Sequence, residues 1–280
     1  MEDQKKKYRK IIKRRLFFQK HGNTISILVM IGIAVLALII AMIWRARVDG
    51  KDPDGEQQGP NGQGHVEMPA GDGFSESLCQ KDPTGIPAYD GRDYVSLNDG
   101  IPGFNLYDLQ NVSGERYSEL DPLGRCGAAT AMLERSMMPK TDRESIGEIK
   151  PTGWVQKKYE GIVDSKPPYL YNRCHLIAYA LTGQNANEKN LITGTRYFNA
   201  EAMLPWEIKI MEYLEHSENH VLYRVTPCFL GEELLARGVE MEAYSVEDFG
   251  KGVCFHVFVY NVQPGIVLDY ATGESKILEK

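Results

Sequence analysis

The longest apolar run in the chain is TISILVMIGIAVLALIIAMIW, residues 24–44, and it contains no charged residue. About 20 apolar residues in a helix span the hydrocarbon core of a bilayer, so this run predicts a transmembrane helix. A cleaved signal peptide is the alternative. It would have a shorter apolar run and a small-residue cleavage site, whereas Arg45, Ala46 and Arg47 follow here.

The charges beside this run predict its orientation. Residues 1–23 contain nine Lys or Arg against two acidic residues, and few basic residues follow the run. Because positive flanks stay in the cytoplasm, we expect 1–23 to be a cytoplasmic basic tail. The run would then be a single-pass signal anchor in the cell membrane, with the C-terminal domain extracellular.

The next segment, residues 45–82, has almost no large apolar residues and is rich in Gly, Pro, Asp and Gln. Such a composition buries too little surface to offset the entropy of ordering, which predicts a flexible extracellular linker. From residue 83 to residue 280 the composition is that of a folded domain.

Within that domain the hydrophobic pattern predicts both helices and strands. Helical spacing of apolar residues predicts helices over 127–138, ended by Pro139, and over 199–216, with Pro205 in its early part. Alternating or continuous β-branched and aromatic residues predict strands over 168–177, 221–230, 239–246 and 253–262. We therefore expect an α+β fold with a central antiparallel sheet flanked by helices.

Charge and cysteine content narrow the function. Outside the tail, 257 residues carry 23 basic and 36 acidic side chains, which is unusual for a protein that coats nucleic acid. The five cysteines include no CxxC pair, so a zinc site built from them is not expected. One or two disulfides are compatible with an oxidising compartment, but the spacing does not choose the partners.

The candidate chemistry lies in YNRCHLIAYALTGQNANEKNLITGTRYFN, residues 171–199, where His175 precedes a run of side-chain amides. A histidine near its ordinary pKa can take a proton from water at neutral pH. Mg²⁺ prefers oxygen ligands and often keeps several waters, which neighbouring amides can orient. This combination suits hydrolysis of a phosphodiester.

Two parts of this stretch, Asn172–His175 and NEKNLITGTRYFN from Asn187 to Asn199, resemble the active-site core of the DNA/RNA non-specific endonucleases. These are the ββα-metal nucleases, and the likeness is to the branch that includes the Gram-positive DNA-entry nucleases. The segments 123–127, 151–154 and QPGIVLDYATGE are also similar, so the resemblance covers roughly residues 85–275.

The resemblance implies a role for each site residue. His175 would be the general base, Asn199 the direct Mg²⁺ ligand (with Mn²⁺ as a substitute), and Glu207 the holder of a metal-bound water. Asn190 would position the histidine, the metal waters or the phosphate. The side chains that would contact the phosphate are Arg173, Arg196 and, more weakly, Lys189. Independently of the resemblance, eight residues make a little over two helical turns, so Asn199 and Glu207 can share one broad face.

The sequence departs from the family's frequent D-R-G-H pattern, because Asn172 replaces Asp and Cys174 replaces Gly. An amide can still hydrogen-bond, so the departure affects the expected rate more than the reaction class. Cys174 is not expected to be a nucleophile, because adjacent residues of a strand point to opposite faces and His175 could not serve it.

Several of these residues also have plain structural interpretations. A lone histidine is often a buried structural residue, Asn185 and Asn187 can simply form a turn, and Glu207 can be an ordinary helix residue. Three further histidines of the domain, His216, His220 and His256, are interpreted as structural.

Together, the apolar run and the resemblance imply a membrane-anchored, Mg²⁺-dependent endonuclease that hydrolyses DNA and RNA irrespective of the sugar. The net negative charge requires that basic residues gather on one face, since binding depends on local potential. The residues that could do so are Arg143, Lys150, Lys157, Lys158, Arg173, Lys189 and Arg196. The alternative is a catalytically impaired nucleic-acid receptor for DNA uptake with the same fold.

Overall fold

The computed structural model describes residues 66–279. The predicted basic tail, transmembrane helix and linker up to residue 65 lie outside the described residues. No helix within residues 66–279 combines the length and apolarity needed to cross a membrane.

A six-stranded antiparallel sheet organises the domain, with strand order β1-β8-β7-β6-β3-β2. Its strands are β1 (Tyr94–Ser96), β2 (Glu115–Tyr117), β3 (Ala129–Leu133), β6 (Val221–Cys228), β7 (Gly238–Ser245) and β8 (Cys254–Tyr260). The three longest strands, β6 to β8, are the ones that the sequence pattern predicted. They are buried along nearly their whole length because both faces of the sheet are covered.

One face of the sheet, called the site face here, carries a two-strand hairpin and a helix. The hairpin pairs β4 (Tyr171–His175) with β5 (Leu191–Thr195), and α3 (Tyr179–Thr182) lies in the loop between them. A π-helical turn, Phe198–Ala202, leads from β5 into α4 (Leu204–Glu215). Side chains of this ββα unit and of the sheet form the main hydrophobic core. The predicted α+β architecture with a central antiparallel sheet is confirmed.

The helix predicted over 127–138 is wrong. Residues 129–133 form the inner strand β3, which pairs with β6 on one side and β2 on the other, and Arg135–Met137 form a 3₁₀ turn. Ala129, Ala131 and Leu133 are fully buried and alternate with less buried residues, which is a two-residue period. Because alanine favours helices, the short apolar segment matched both periods and its propensity pointed the wrong way.

The helix predicted over 199–216 exists, but its first part differs. The chain already turns helically at Phe198, and the amide of Met203 bonds the carbonyl of Phe198 at 3.0 Å, an i to i+5 contact. The α-helix proper starts at Leu204, and Pro205 lies in its first turn, where its missing amide hydrogen is not needed.

The opposite face of the sheet, called the rear face, is covered by the N-terminal part of the described chain. Residues 66–82, predicted as the end of the flexible linker, lie against this face and include α1 (Leu78–Lys81). Met68, Ser77 and Cys79 are buried. The folded unit therefore begins earlier than residue 83, because a few apolar side chains and polar contacts to the sheet suffice to order a segment of polar composition.

A buried charged network holds this segment to the sheet. The Glu240 carboxylate accepts hydrogen bonds from the amides of Leu78 (2.9 Å) and Cys79 (2.7 Å) and contacts His256 Nε2 at 2.7 Å. Beside it, Arg224 Nε donates to Glu242 at 2.7 Å. The rear face also carries α2 (Leu106–Asn111), and a small hairpin of β9 (Ile266–Leu268) and β10 (Ser275–Ile277) completes the fold.

Candidate active site

His175 is the last residue of β4, and only 6% of it is exposed. Its Nε2 lies 2.8 Å from the carbonyl oxygen of Asn185, in the loop that returns to β5. Its Nδ1 lies 3.2 Å from Nη2 of Arg143. A carbonyl only accepts and a guanidinium only donates, so Nε2 carries the hydrogen and Nδ1 presents its lone pair.

The environment keeps this imidazole neutral. Burial and the positive charge of Arg143 lower the pKa of His175 to about 4, although its hydrogen bonds to the backbone of Asn185 and Gln184 oppose the shift. His175 is therefore in its proton-accepting form at neutral pH. The available lone pair is on Nδ1, and Arg143 is the group that occupies it.

Arg143 is the site residue that the sequence did not single out. It appeared only as one of several basic residues, because it lies 32 positions before His175 in a polar segment with no motif of its own. Only the fold brings the two side chains together. The sign of its charge was the one available clue, and seven basic residues shared it.

Asn190 has a defined structural task. It is fully buried, its Oδ1 accepts from the amide of Ile177 at 2.9 Å, and its Nδ2 donates to the carbonyl of Ile177 at 3.0 Å. The amide of Leu176 also bonds the carbonyl of Asn190 at 2.9 Å. These contacts fasten the chain just after His175 to the start of β5, which supports the predicted role in positioning the histidine. Both the oxygen and the nitrogen of its carboxamide therefore bond Ile177.

Asn199 lies in the π-helical turn and Glu207 in the first turn of α4. Within residues 66–279 neither side chain has a hydrogen-bond partner. Burial raises the pKa of Glu207 to about 8, so the fold holds a carboxyl group in a place where it has no compensating donor. A carboxamide oxygen and a carboxylate, both unsatisfied, are the donor types that Mg²⁺ takes together with water. The residues present therefore fit a magnesium ion.

Cys174 connects these groups electrostatically. Its thiol is 1% exposed and contacts Met203 Sδ at 3.5 Å. Burial and the nearby Glu207 raise the pKa of the Cys174 thiol, while Arg143 opposes this. Glu207 and Arg143 therefore lie in electrostatic range of the same thiol, and Arg143 also contacts His175. The thiol itself is inert, since a reactive cysteine needs a low pKa and access.

The three basic residues predicted to contact phosphate are placed differently. Arg173 donates from Nε and Nη2 to the carbonyls of Ile149 and Gly147 and lies over the Trp154 ring, 4.3 Å from its centroid. Lys189 pairs with Glu119 at 2.5 Å on the surface. Arg196 begins the helical segment after β5, and no hydrogen bond or ion pair of the described chain engages its guanidinium.

A second group of ligand-type side chains lies on the rear face. Ligand atoms of Glu240, Glu242 and His256 lie within 4.8 Å of one another. These atoms are already satisfied by backbone amides and by Arg224, and an arginine beside the cluster opposes a cation. Among residues 66–279 we therefore place the candidate metal centre at Asn199 and Glu207, and not in this cluster.

Comparison with known proteins identifies the family to which this arrangement corresponds. The family described as DNA/RNA non-specific endonuclease matches residues 107–247. The NucA structure from Streptococcus agalactiae with magnesium bound is similar over 71% of this chain and 95% of its own, at 23% identity and a TM-score of 0.60. The metal-free NucA structure is 25% identical over 71% and 94%, with a TM-score of 0.58. The Sda1 nuclease with bound zinc is 23% identical over 74% and 100%, with a TM-score of 0.53.

Proposed function

Because this chain belongs to the DNA/RNA non-specific endonuclease family, we propose that it hydrolyses phosphodiester bonds of DNA and RNA with a divalent cation, Mg²⁺ or its substitute Mn²⁺. The observation that carries this proposal is the fixed tautomer of His175. Its Nε2–H is held by Asn185 at 2.8 Å, which leaves Nδ1 as a proton acceptor at the end of a rigid hairpin.

His175 Nδ1 would take the proton from the attacking water. A base with a pKa of about 4 is a weak acceptor, and the nearby guanidinium of Arg143 is one reason for that low pKa. A phosphate in the site would attract Arg143 away from Nδ1 and add negative charge beside the imidazole. Both changes raise the pKa of His175 toward its ordinary range, so the base would become effective when substrate is bound.

Asn199 would hold the cation through its carboxamide oxygen, and the Glu207 carboxylate would hold it through a metal-bound water. When bound, the ion supplies a positive charge that stabilises the negative charge developing on the phosphate. Glu207 would be in its ionised form at an occupied site, since a nearby cation favours the carboxylate. The NucA structure with magnesium supports the choice of ion.

Arg143 and Arg196 are the proposed phosphate ligands. A guanidinium fork matches two phosphate oxygens, and Arg143 is already beside the base. Arg173 would act indirectly, because its contacts to residues 147 and 149 order the segment that follows Arg143. Contacts from arginine to the phosphate backbone of a nucleic acid do not depend on base identity. They therefore fit a substrate range that includes both DNA and RNA.

The location of the enzyme is a separate part of the proposal. The apolar run at residues 24–44 and the basic residues before it support a single-pass anchor in the cell membrane with the nuclease domain outside. Protease added to intact cells would then degrade the domain and leave the N-terminal tail protected. A domain that resists protease until the cells are broken would contradict this orientation.

The central experiment uses the full chain in detergent with supercoiled plasmid and with a structured RNA. We expect cleavage of both in Mg²⁺, no cleavage in chelator, and a loss of at least about 10²-fold in His175→Ala, in the range typical for a general base. His216→Ala, a change at an exposed helix end, is the matched control and should cleave normally. If wild type and His175→Ala bind DNA equally and neither nicks it, the chain is the receptor considered above.

A further inference from the structure

The rear face holds two cysteines that neither the fold nor the proposed mechanism uses. Cys79 lies in α1 and Cys228 ends β6, 149 positions later. Both are buried, and both belong to one apolar cluster with side chains of β1 and β8. Within residues 66–279 every cysteine is present as a free thiol.

The strand register and one hydrogen bond place the two cysteines in the same part of the rear face. Cys228 is opposite Gly238 and Thr226 is opposite Glu240, so the side chains of Cys228 and Glu240 point to the same face. The backbone amide of Cys79 is fixed to the Glu240 carboxylate at 2.7 Å. Residues two apart on a strand are separated by about 7 Å. Cys228 lies two positions after Thr226, the residue opposite Glu240, so the Glu240 backbone is within about this distance along the strands of the pair formed by Cys228 and Gly238.

The residue opposite Cys228 is Gly238, so no side chain of β7 lies directly beside this cysteine. A Cβ at Gly238 would lie 2.2 Å from the carbonyl of Val259, so a larger residue does not fit there. Cys228 Sγ also lies 3.8 Å from the carbonyl oxygen of Pro83, just after α1. A side-chain hydrogen bond with Cys228 is the largest cause that raises the pKa of the Cys79 thiol, followed by burial.

We propose that Cys79 and Cys228 form a disulfide that joins α1 to the end of β6. In this step the two S–H bonds break and one S–S bond forms. The two electrons and two protons pass to a disulfide-bearing oxidant, such as a thiol oxidoreductase or oxidised glutathione, whose disulfide is reduced to two thiols. That the bond forms in cells rests on the proposed location of the domain outside the membrane.

The burial of both thiols determines when the bond forms. Exchange requires a thiolate with access to the oxidant, and the folded domain provides neither. Oxidation therefore accompanies folding, before α1 docks on the rear face. Once closed, the bond is shielded from reductants, and it links the segment nearest the proposed anchor to the central sheet.

The test uses the purified full chain in detergent, reduced and unfolded, then refolded in buffers of reduced and oxidised glutathione. Free thiols are alkylated in denaturant, and peptides are mapped by mass spectrometry without reductant. We expect a cross-linked peptide pair containing Cys79 and Cys228, lighter than the two thiols by two hydrogen atoms. Cys254→Ser, a change at another cysteine of the same sheet face, is the matched control and should give the same pair.

A Cys79→Ser variant should leave Cys228 open to alkylation. The unfolding midpoint of the wild type should fall when reductant is added, and that of the double variant Cys79→Ser, Cys228→Ser should not respond. Alkylation of both cysteines at every glutathione ratio, or pairing of either with a different cysteine, would overturn the proposal. Mapping the wild-type chain decides this even if the variants fold poorly.

Two further measurements separate this proposal from the proposed function. Plasmid cleavage by the refolded sample tests the nuclease independently, since the two cysteines lie on the face away from His175. If the bond forms in the glutathione buffers while the chain isolated from cells carries two thiols, the pairing stands and the extracellular location fails.

Discussion

Glu207 is the residue whose surroundings conflict most with its chemistry. Its carboxyl is half-buried, no donor of the described chain reaches it, and its pKa is raised to about 8. A buried carboxyl without a donor lowers the stability of the free protein, and binding of a ligand that favours the carboxylate removes this cost. Such groups are therefore typical of functional sites. For Glu207 the proposed ligand is the divalent cation.

We predict that Glu207→Gln stabilises the metal-free protein at alkaline pH. Between about pH 4.5 and 8 the unfolded chain loses this proton and the folded chain keeps it, so the wild type loses stability as pH rises through that window. One pKa unit corresponds to about 1.4 kcal/mol, so the gain at pH 9 is expected to be at most a few kcal/mol. Chemical denaturation in chelator at pH 5 and pH 9 measures it.

The same variant should lose Mg²⁺-dependent cleavage by about 10- to 100-fold, as typical for residues that support a metal site. Glu212→Gln changes an exposed carboxyl of the same helix and should affect neither property.

The titration of His175 changes stability with pH in the opposite direction to that of Glu207. Its pKa of about 4 means that its contribution to stability rises from pH 4 to 6.5 and is then constant, so His175 has no part in the alkaline loss. An unchanged pH 9 stability in Glu207→Gln would contradict the assignment.

At this scale the sequence identified what is local and missed what the fold assembles. His175, Asn190, Asn199 and Glu207 lie within 33 residues, so their spacing and residue types were readable together. Arg143 reaches His175 only through the tertiary fold. The sequence also could not show that the Asn190 carboxamide hydrogen-bonds the backbone of Ile177. A carboxamide is equally suited to bind a metal ion and to hold a loop in place.

At the scale of elements, the π-helical turn before α4 determines how the two proposed metal-site residues face. In a regular α-helix, eight residues leave Asn199 and Glu207 about 80° apart, at about 100° per residue. One i to i+5 bond adds a residue to the turn and reduces this to about 20°. Such turns occur often at functional sites, and ideal helix geometry predicts that this one places the carboxamide and the carboxylate on one face.

We predict that deletion of Ala200 abolishes Mg²⁺-dependent cleavage with little change in helix content. The deletion converts the π turn into an α turn and rotates Asn199 away from Glu207, and misplacement of a catalytic group by about 1 Å can cost 10²-fold. Ala200→Ser keeps the extra residue and is the matched control. Cleavage assays together with circular dichroism through thermal unfolding distinguish lost alignment from lost folding. Full activity in the deletion variant would rule out the alignment role.

The elements that the sequence predicted best are the long strands of the sheet centre, where β-branched and aromatic residues leave no helical alternative. β3 was missed because its two inward alanines pack where the sheet meets the ββα unit. Close packing there requires small residues. At Gly194 of β5, a Cβ would lie 2.8 Å from both Cys174 and the Phe198 ring. At such positions the close packing of neighbouring elements limits the size of the side chain. Local secondary-structure propensity carries no information about that packing.

At the scale of the whole molecule, the sheet separates the catalytic layer from the N-terminal layer. The ββα unit lies on the site face, while residues 66–82 lie on the rear face over buried charges. Arg224 and His256 balance Glu240 and Glu242 there, and burial opposes but does not overcome the carboxylates that raise the pKa of His256. The stabilisation that protonated His256 gives to the folded state is complete below the ordinary histidine pKa. It is lost as pH rises through the raised pKa of His256.

The rear-face network is expected to dominate the stability of the N-terminal layer, and Arg224→Met tests this. The Arg224 and Glu242 side chains are 4% and 1% exposed, so removal of the guanidinium strands a buried carboxylate and should cost about 3–5 kcal/mol. Arg237→Met breaks a more exposed pair with Glu233 and should cost only about 0–1 kcal/mol. Chemical denaturation at neutral pH compares the two variants.

Limited proteolysis should cut residues 66–82 earlier in Arg224→Met than in Arg237→Met, because the docked segment loses the hydrogen bond from Arg224 Nη1 to the carbonyl of Ser75. Equal stability losses in the two variants would show that the segment is held by its apolar contacts and not by the buried charges.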